Sequence, residues 1–243
     1  MKIVSWNCCN GFDKPKQSTF FSNLNCGLED VDVFVVQECR REEIFALRAE
    51  GWTSVNWHGD DLDDNSDLGV GVFSKKYEID FTEEFNRNFR YVVPYVVSHD
   101  KIKKLTLLAV WTKSADRGKY YYDRNVVKAV EYYNEKKLID DCSIIIGDFN
   151  TFAKNDAEIM TLEENLKGFC NCAKNSRLKH TYCHTETNTG IDDFCFASSK
   201  CADMVTVEVL GLDNKSEYGK RQWMNISDHC PIVADIRANS IIK

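Results

Sequence analysis

Proline is scarce in this chain, 3 among 243 residues, and no Gly/Ser-rich stretch, low-complexity tract or short-period repeat is present. Nothing therefore marks a flexible linker or a repeat array, and one domain spanning 1–243 is expected. Long apolar runs are missing as well. No stretch approaches the ~20 apolar residues of a membrane helix, and the opening Met1-Lys2-Ile3-Val4-Ser5-Trp6 turns polar too soon for a secretory signal. Positive charge is not in surplus: 31 Lys+Arg face 38 Asp+Glu, a formal net charge of −7. That argues against gripping nucleic acid by bulk charge, which needs a basic footprint. It leaves room for a nuclease, because a metal site is itself built of carboxylates.

Cysteine, by contrast, is plentiful. The chain has 11, an odd number, with Cys8 and Cys9 adjacent. Disulfide-built secreted domains are usually shorter and even-numbered, so free thiols packed as small core residues in a cytoplasmic protein are expected. Cys170, Cys172, His180, Cys183 and His184 fall within fifteen residues but lack the paired-Cys spacing of structural zinc. Zinc there is the weaker reading. Composition is otherwise that of a globular protein, 43% hydrophobic and 28% charged.

Short β-branched runs recur, at 2–6, 31–37, 69–74, 91–98, 104–111, 142–147, 193–198, 204–210 and 231–236, and read as strands. Helical patterns occupy 17–28, 40–49, 121–137 and 155–167; the third puts Val126, Val127, Val130 and Tyr133 on one stripe. Nine strands with helices between and beside them predict an α/β layered fold. The acidic run Asp60–Asp67 lacks the glycine and terminal glutamate of a calcium loop and reads as a solvated surface loop.

Four apolar runs lead directly into polar side chains: Ile3-Val4-Ser5-Trp6-Asn7, Val35-Val36-Gln37-Glu38, Ile145-Ile146-Gly147-Asp148-Phe149-Asn150 and Ser227-Asp228-His229-Cys230-Pro231. Sites in layered α/β proteins gather where strands open into loops. Hard divalent cations take oxygen ligands. Phosphate-ester cleavage needs an activated water, neutralised charge and a stabilised leaving oxygen. These residue types supply all three without a covalent nucleophile.

Together with Gly11-Phe12 and Asp193-Phe194-Cys195-Phe196, the same segments resemble the ordered signature of the endonuclease/exonuclease/phosphatase family, in its compact bacterial form. The resemblance runs from residue 6 to 231. It implies a four-layer α-β-β-α sandwich of two packed mixed sheets flanked by helices. It implies Mg²⁺ or Mn²⁺ held by Glu38, Asn7 and Asp228. Asp148 would orient or deprotonate water, Asn150 would hold phosphate, and His229, polarised by Asp193, would contact the scissile phosphate or act as base. Arg124, Tyr122, Trp111 and Thr181 would line the substrate side. The implied substrate is nucleic acid or, alternatively, a small phosphorylated molecule; neither a membrane nor an obligate protein partner is implied.

Two departures stand out. The strand Thr106-Leu107-Leu108-Ala109-Val110 ends in Trp111-Thr112 where many members carry His or Tyr, which leaves the leaving-group acid to metal-bound water or to another residue such as Tyr120, Tyr121 or Tyr122. Asp192-Asp193 offers two candidates for the histidine partner, of which Asp193 matches the following apolar strand. Each residue also has a plainer reading: Glu38 as a helix-start carboxylate, Asp148 and Asn150 as a turn, His229 as a satisfied core histidine, Asn7 and Asp228 as caps. Packing competes with base stacking for Trp111, and a solvated helix face with phosphate contact for Arg124. A scaffold that has lost activity is the third possibility, and the completeness of the set counts against it.

Overall fold

The computed structural model describes residues 1–25, 30–59, 67–99, 102–112, 121–153, 156–175, 181–183, 189–210 and 226–237. The chain opens with β1 (Lys2–Asn7), α1 (Lys14–Asn25), β2 (Val33–Arg40), α2 (Arg41–Ala46), β3 (Ser54–Gly59) and β4 (Leu68–Ser74). It continues through β5 (Glu78–Phe81), β6 (Val92–His99), β7 (Ile102–Trp111), α3 (Tyr121–Glu135), β8 (Ser143–Ala153) and α4 (Asp156–Asn165). Last come β9 (Phe169–Asn171), β10 (Tyr182–Cys183), β11 (Thr189–Ser198), β12 (Val205–Val209) and β13 (Ile232–Ile236).

Two sheets result. The first runs β12-β13-β1-β2-β4-β3; the second runs β10-β11-β8-β7-β6-β5, with β9 paired on β11. Each is mixed, because β1 and β2 are parallel in one and β7 and β8 in the other. Strand alternation sorts the layers. In β8, Ile144 and Ile146 join the large core that includes residues of both sheets, while Ile145 and Phe149 pack outward with Val126 and Val130 of α3 and Leu162 of α4. On the outer face of the first sheet, Phe20 of α1 stacks on Trp6 of β1, ring centroids 4.5 Å apart at 8°. This is the four-layer sandwich the motifs imply.

The described residues hold thirteen strands, four more than the periodicity predicts. The additions are β3, β5, β9 and β10: the last three are four residues or fewer, and β3 carries a single β-branched residue, Val55. The first helix begins at Lys14, three residues before the expected 17, because the Asp13 side chain accepts from Lys16 N (3.0 Å) and Pro15 is tolerated in a first turn. The second helix ends early, at Ala46, and tightens into a 3₁₀ turn (Leu47–Glu50) stopped by Gly51 at φ +85°. β8 runs on through the Gly147–Asn150 motif to Ala153, where a strand end was expected. Most of the acidic run, Asp60–Ser66, lies outside the described residues, as do His180 and His184.

Candidate active site

Alternation places the site. Trp6 is committed to the outer aromatic layer, so its neighbour Asn7 points to the opposite, inner face. In β8, Asp148 shares the inward parity of Ile144 and Ile146; in β11, Asp193 shares that of Cys195 and Ala197. Asn7, Asp148 and Asp193 therefore face one another across the mouth between the sheets, all of them buried.

Two irregularities aim the remaining carboxylates. The pairing of β2 with β4 slips between Gln37 and Cys39, and the extra residue, Glu38, sits at φ +57°. This bulge turns its side chain to the mouth, where Oε1 accepts from Asn7 Nδ2 (3.0 Å) and Oε2 from Asn10 N (3.0 Å). The pairing of β11 with β8 slips between Ile191 and Asp193. There both Asp192 N and Asp193 N donate to Thr181 Oγ1 at 3.0 Å. Gly147, at φ +147°, lets β8 pass close to β7: a Cβ at that position would lie 1.9 Å from Val110 O, so the approach admits only glycine.

A hydrogen-bonded chain connects the mouth. Asn7 Nδ2 also donates to Asp148 Oδ2 (2.8 Å), so one amide spans the two sheets and holds Glu38 and Asp148 together. Asn150 donates to both oxygens of Asp148, through N to Oδ1 (2.8 Å) and Nδ2 to Oδ2 (2.7 Å), and also to Thr112 O (2.8 Å). His229 Nδ1 lies 2.8 Å from Asp193 Oδ2, so of the two adjacent aspartates Asp193 makes this contact. Ser227 Oγ donates to Asn7 O (2.7 Å) and accepts from His229 N (3.0 Å), clamping the last motif onto the first. Trp6 Nε1 donates to His229 O (3.0 Å) from the other face of β1.

The electrostatics follow from this crowding. Burial pushes the Asp148 carboxyl well above the usual carboxylate range; Asp193 and Asp192 add to the rise, while His229 and the Asn7 amide oppose it. Burial alone would lower His229, but the charges of Asp193, Asp148 and Asp228 outweigh it and hold the imidazole well above its ordinary value. His229 is thus held protonated by the carboxylates that surround it.

Asp148, Asp193 and His229 each place a ligand atom within 4.8 Å of the others. His229 Nδ1 is engaged by Asp193, so this trio has the form of an oriented acid–base pair beside a buried carboxylate. Two further carboxylates, both half-buried, lie near it: Glu38 and Asp228 both act on the Cys9 thiol, and Glu38 shares the Asn7 amide with Asp148. Asn7 turns its amide NH₂ toward both carboxylates and engages its Oδ1 with Cys9 N (2.9 Å), so its placement here is that of a brace.

The other expected residues lie as follows. Thr181 is buried, with its hydroxyl taken by the two β11 amides and its carbonyl by Cys230 N (2.7 Å). Trp111 is 5% exposed within the core, leaving no open face for a base. Tyr122 and Arg124 fall in the first turns of α3, and their side chains, like that of Tyr121, lie outside the described residues; Tyr120 does so entirely.

Two residues beyond the expected catalytic, metal and substrate set join the site. The Tyr182 ring stands edge-on to His229, centroids 5.2 Å apart at 64°, and burial together with Asp228 raises its hydroxyl pKa. Burial and the neighbouring Asp228 and Glu38 also raise the Cys9 thiol, at φ +53° on the turn after Asn7. Their sequence signal was adjacency alone: Tyr182 follows Thr181, and Cys9 lies two residues from Asn7.

No protein-family model matches the sequence, and no curated protein matches it significantly. Solved structures share the fold. The 3′ phosphatase NExo from Neisseria, bound to product DNA hairpin, is 17% identical over 98% of this chain and 99% of its own, with a TM-score of 0.66. The AP endonuclease LMAP from Leishmania major is 14% identical over 97% and 87%, with a TM-score of 0.69. An endonuclease/exonuclease/phosphatase family protein from Bacteroides thetaiotaomicron is 13% identical over 96% of each chain, at a TM-score of 0.59. The fold of this chain is the sandwich these proteins share.

Proposed function

We propose that this chain is a divalent-metal-dependent phosphodiesterase, a nuclease hydrolysing DNA or RNA through an activated water. One observation carries the reading: Asn7 bridges Glu38 and buried Asp148, and Ser227 clamps the Asp193–His229 pair to that same Asn7 between the two sheets. The fold relatives add weight, since NExo is a 3′ phosphatase held with product DNA and LMAP an AP endonuclease.

In this reading Glu38 and Asp228 hold Mg²⁺ or Mn²⁺, which when bound neutralises charge on the phosphate. The protonated His229 presents Nε2 to a phosphate oxygen, its ring fixed by Asp193. Asp148, whose raised pKa favours accepting a proton, orients and deprotonates the water. Asn150 and Asn7 fix the Asp148 carboxylate, and Thr181 sets the β11 bulge that aims Asp193. Tyr182, beside His229, takes the substrate side of the cleft, where the Trp111 position offers no proton donor. Nine described cysteines, all free thiols, support a reducing, cytoplasmic setting.

The test is a substrate panel with Mg²⁺ or Mn²⁺: single- and double-stranded oligonucleotides, nucleotides, cyclic dinucleotides and inositol phosphates. Metal-dependent cleavage of oligonucleotides that disappears in Glu38→Ala and His229→Ala supports the reading. Turnover confined to small phosphates favours the alternative that the net charge of −7 suits. Intact substrates throughout would leave a binding protein on this fold.

A further inference from the structure

The mouth of the sandwich continues beyond the acidic site. One cross-strand row runs Asn7–Gln37–Val70–His58 through β1, β2, β4 and β3. Directly paired residues share a face, so His58 lies on the inner side with Asn7. Three strand spacings of about 4.8 Å separate them, roughly 14 Å in all. There His58 meets rings carried by the second sheet. Phe81, ending β5, stacks on it at 5.9 Å and 16°; Phe85, just beyond, stands edge-on at 4.3 Å. Phe81 and Phe85 are 5.2 Å apart, and Asn56 Nδ2 donates to Ile79 O (2.9 Å), tying the two edge strands together behind them.

A lone exposed phenylalanine is ordinary. Here the feature is a cluster, and Phe81, 45% exposed, is the large apolar side chain left open among the described residues. Its surroundings narrow the occupant. Glu83 and Glu84 are exposed beside it and Arg87 just beyond Phe85, so this end of the mouth offers ring faces and no surplus of positive charge. A nucleobase suits that chemistry, being flat, uncharged at neutral pH and stacked favourably on aromatic rings whatever its sequence.

We propose that Phe81, backed by His58 and Phe85, is a stacking platform for an unpaired nucleobase of a single-stranded substrate segment. At about 3.4 Å per stacked nucleotide, the roughly 14 Å between Asn7 and His58 puts that base at least about four nucleotides from the phosphate being cut. The platform rests on the nuclease reading above and extends it from phosphate chemistry to the strand that carries the phosphate.

The test uses the whole protein in EDTA and a single-stranded oligonucleotide with 2-aminopurine placed at successive positions. Wild type should quench the fluorophore at about the fourth position from the cut or beyond it. Phe81→Leu, which keeps apolar bulk without a π face, should weaken binding about tenfold and lose the quench; Phe81→Trp should retain both. If wild type cleaves oligonucleotides but Phe81→Leu binds and quenches as wild type does, the platform is wrong and the nuclease reading stands. If Phe81→Leu instead abolishes self-association seen by sedimentation, with oligonucleotide binding unchanged, the rings contact a second copy and the platform is again wrong. If wild type neither binds nor cleaves any oligonucleotide, both readings fall.

Discussion

Trp6 and Asn7 are adjacent on β1 and belong to opposite regions. Trp6 faces outward into a layer of stacked rings: Phe20 at 4.5 Å and Phe12 at 6.1 Å, with Phe34 and Phe73 extending it at 5.2 Å from one another. Asn7 faces inward to Glu38 and Asp148. The first region gains stability from every ring it buries. The second loses it, because buried carboxylates and a protonated imidazole are taken from water and only partly compensated. One residue of strand separates the two, and Trp6 Nε1 joins them through His229 O. The aromatic layer thus holds the backbone on which a strained polar site is built.

Substitutions on either side should separate stability from rate. Asp148→Asn should give the largest effect, a loss in kcat on the order of 10³-fold, with the melting temperature held or raised. A carboxyl with a raised pKa destabilises the fold as pH climbs through that value, and the amide removes the charge. A large fall in melting temperature would show that Asp148 is structural. Phe20→Ala should do the reverse, costing about 3–5 kcal/mol in chemical denaturation while folded protein keeps its kcat; an equal fall in kcat would join the two regions.

Asp193→Asn should be next, lowering kcat about 10²-fold and bringing the His229 pKa down, read from the ring proton shifts in metal-free protein. Because the folded-state value is raised, the imidazolium stabilises fully below the ordinary value of about 6.5 and this is lost as pH rises through the higher value. The Asn variant should lack that decline; a wild-type-like titration would remove Asp193 from its role. Smallest should be Asp67→Ala, which breaks the exposed Arg40 ion pair (2.8 Å) outside both regions. It should shift stability by less than about 1 kcal/mol and leave kcat alone.

Much of this was legible in the residues. The apolar runs of β1, β2, β4 and β13 stand out by period and composition, and the polar groups at their ends announce a site. The edge strands β3 and β5 did not, because β5 is only four residues long and β3 carries a single β-branched residue, Val55. The apolar Phe194-Cys195-Phe196 run already favoured Asp193 over Asp192, and the contact of Asp193 with His229 comes from the slipped pairing at Thr181. Trp111 and Thr181 were expected on the substrate side, and the structure places both in packed interiors, since exposure is decided by what lies above a residue.

The sequence by itself determined which residues alternate, where runs end in acids, amides and a histidine, and hence the layered class, because periodicity and chemistry are local. Only the tertiary structure decided that Asn7 braces two carboxylates, that Glu38 reaches the mouth through a bulge, and that Tyr182 and Cys9 lie beside the site. Those facts depend on which strands pair and with what slip, and pairing joins residues far apart along the chain.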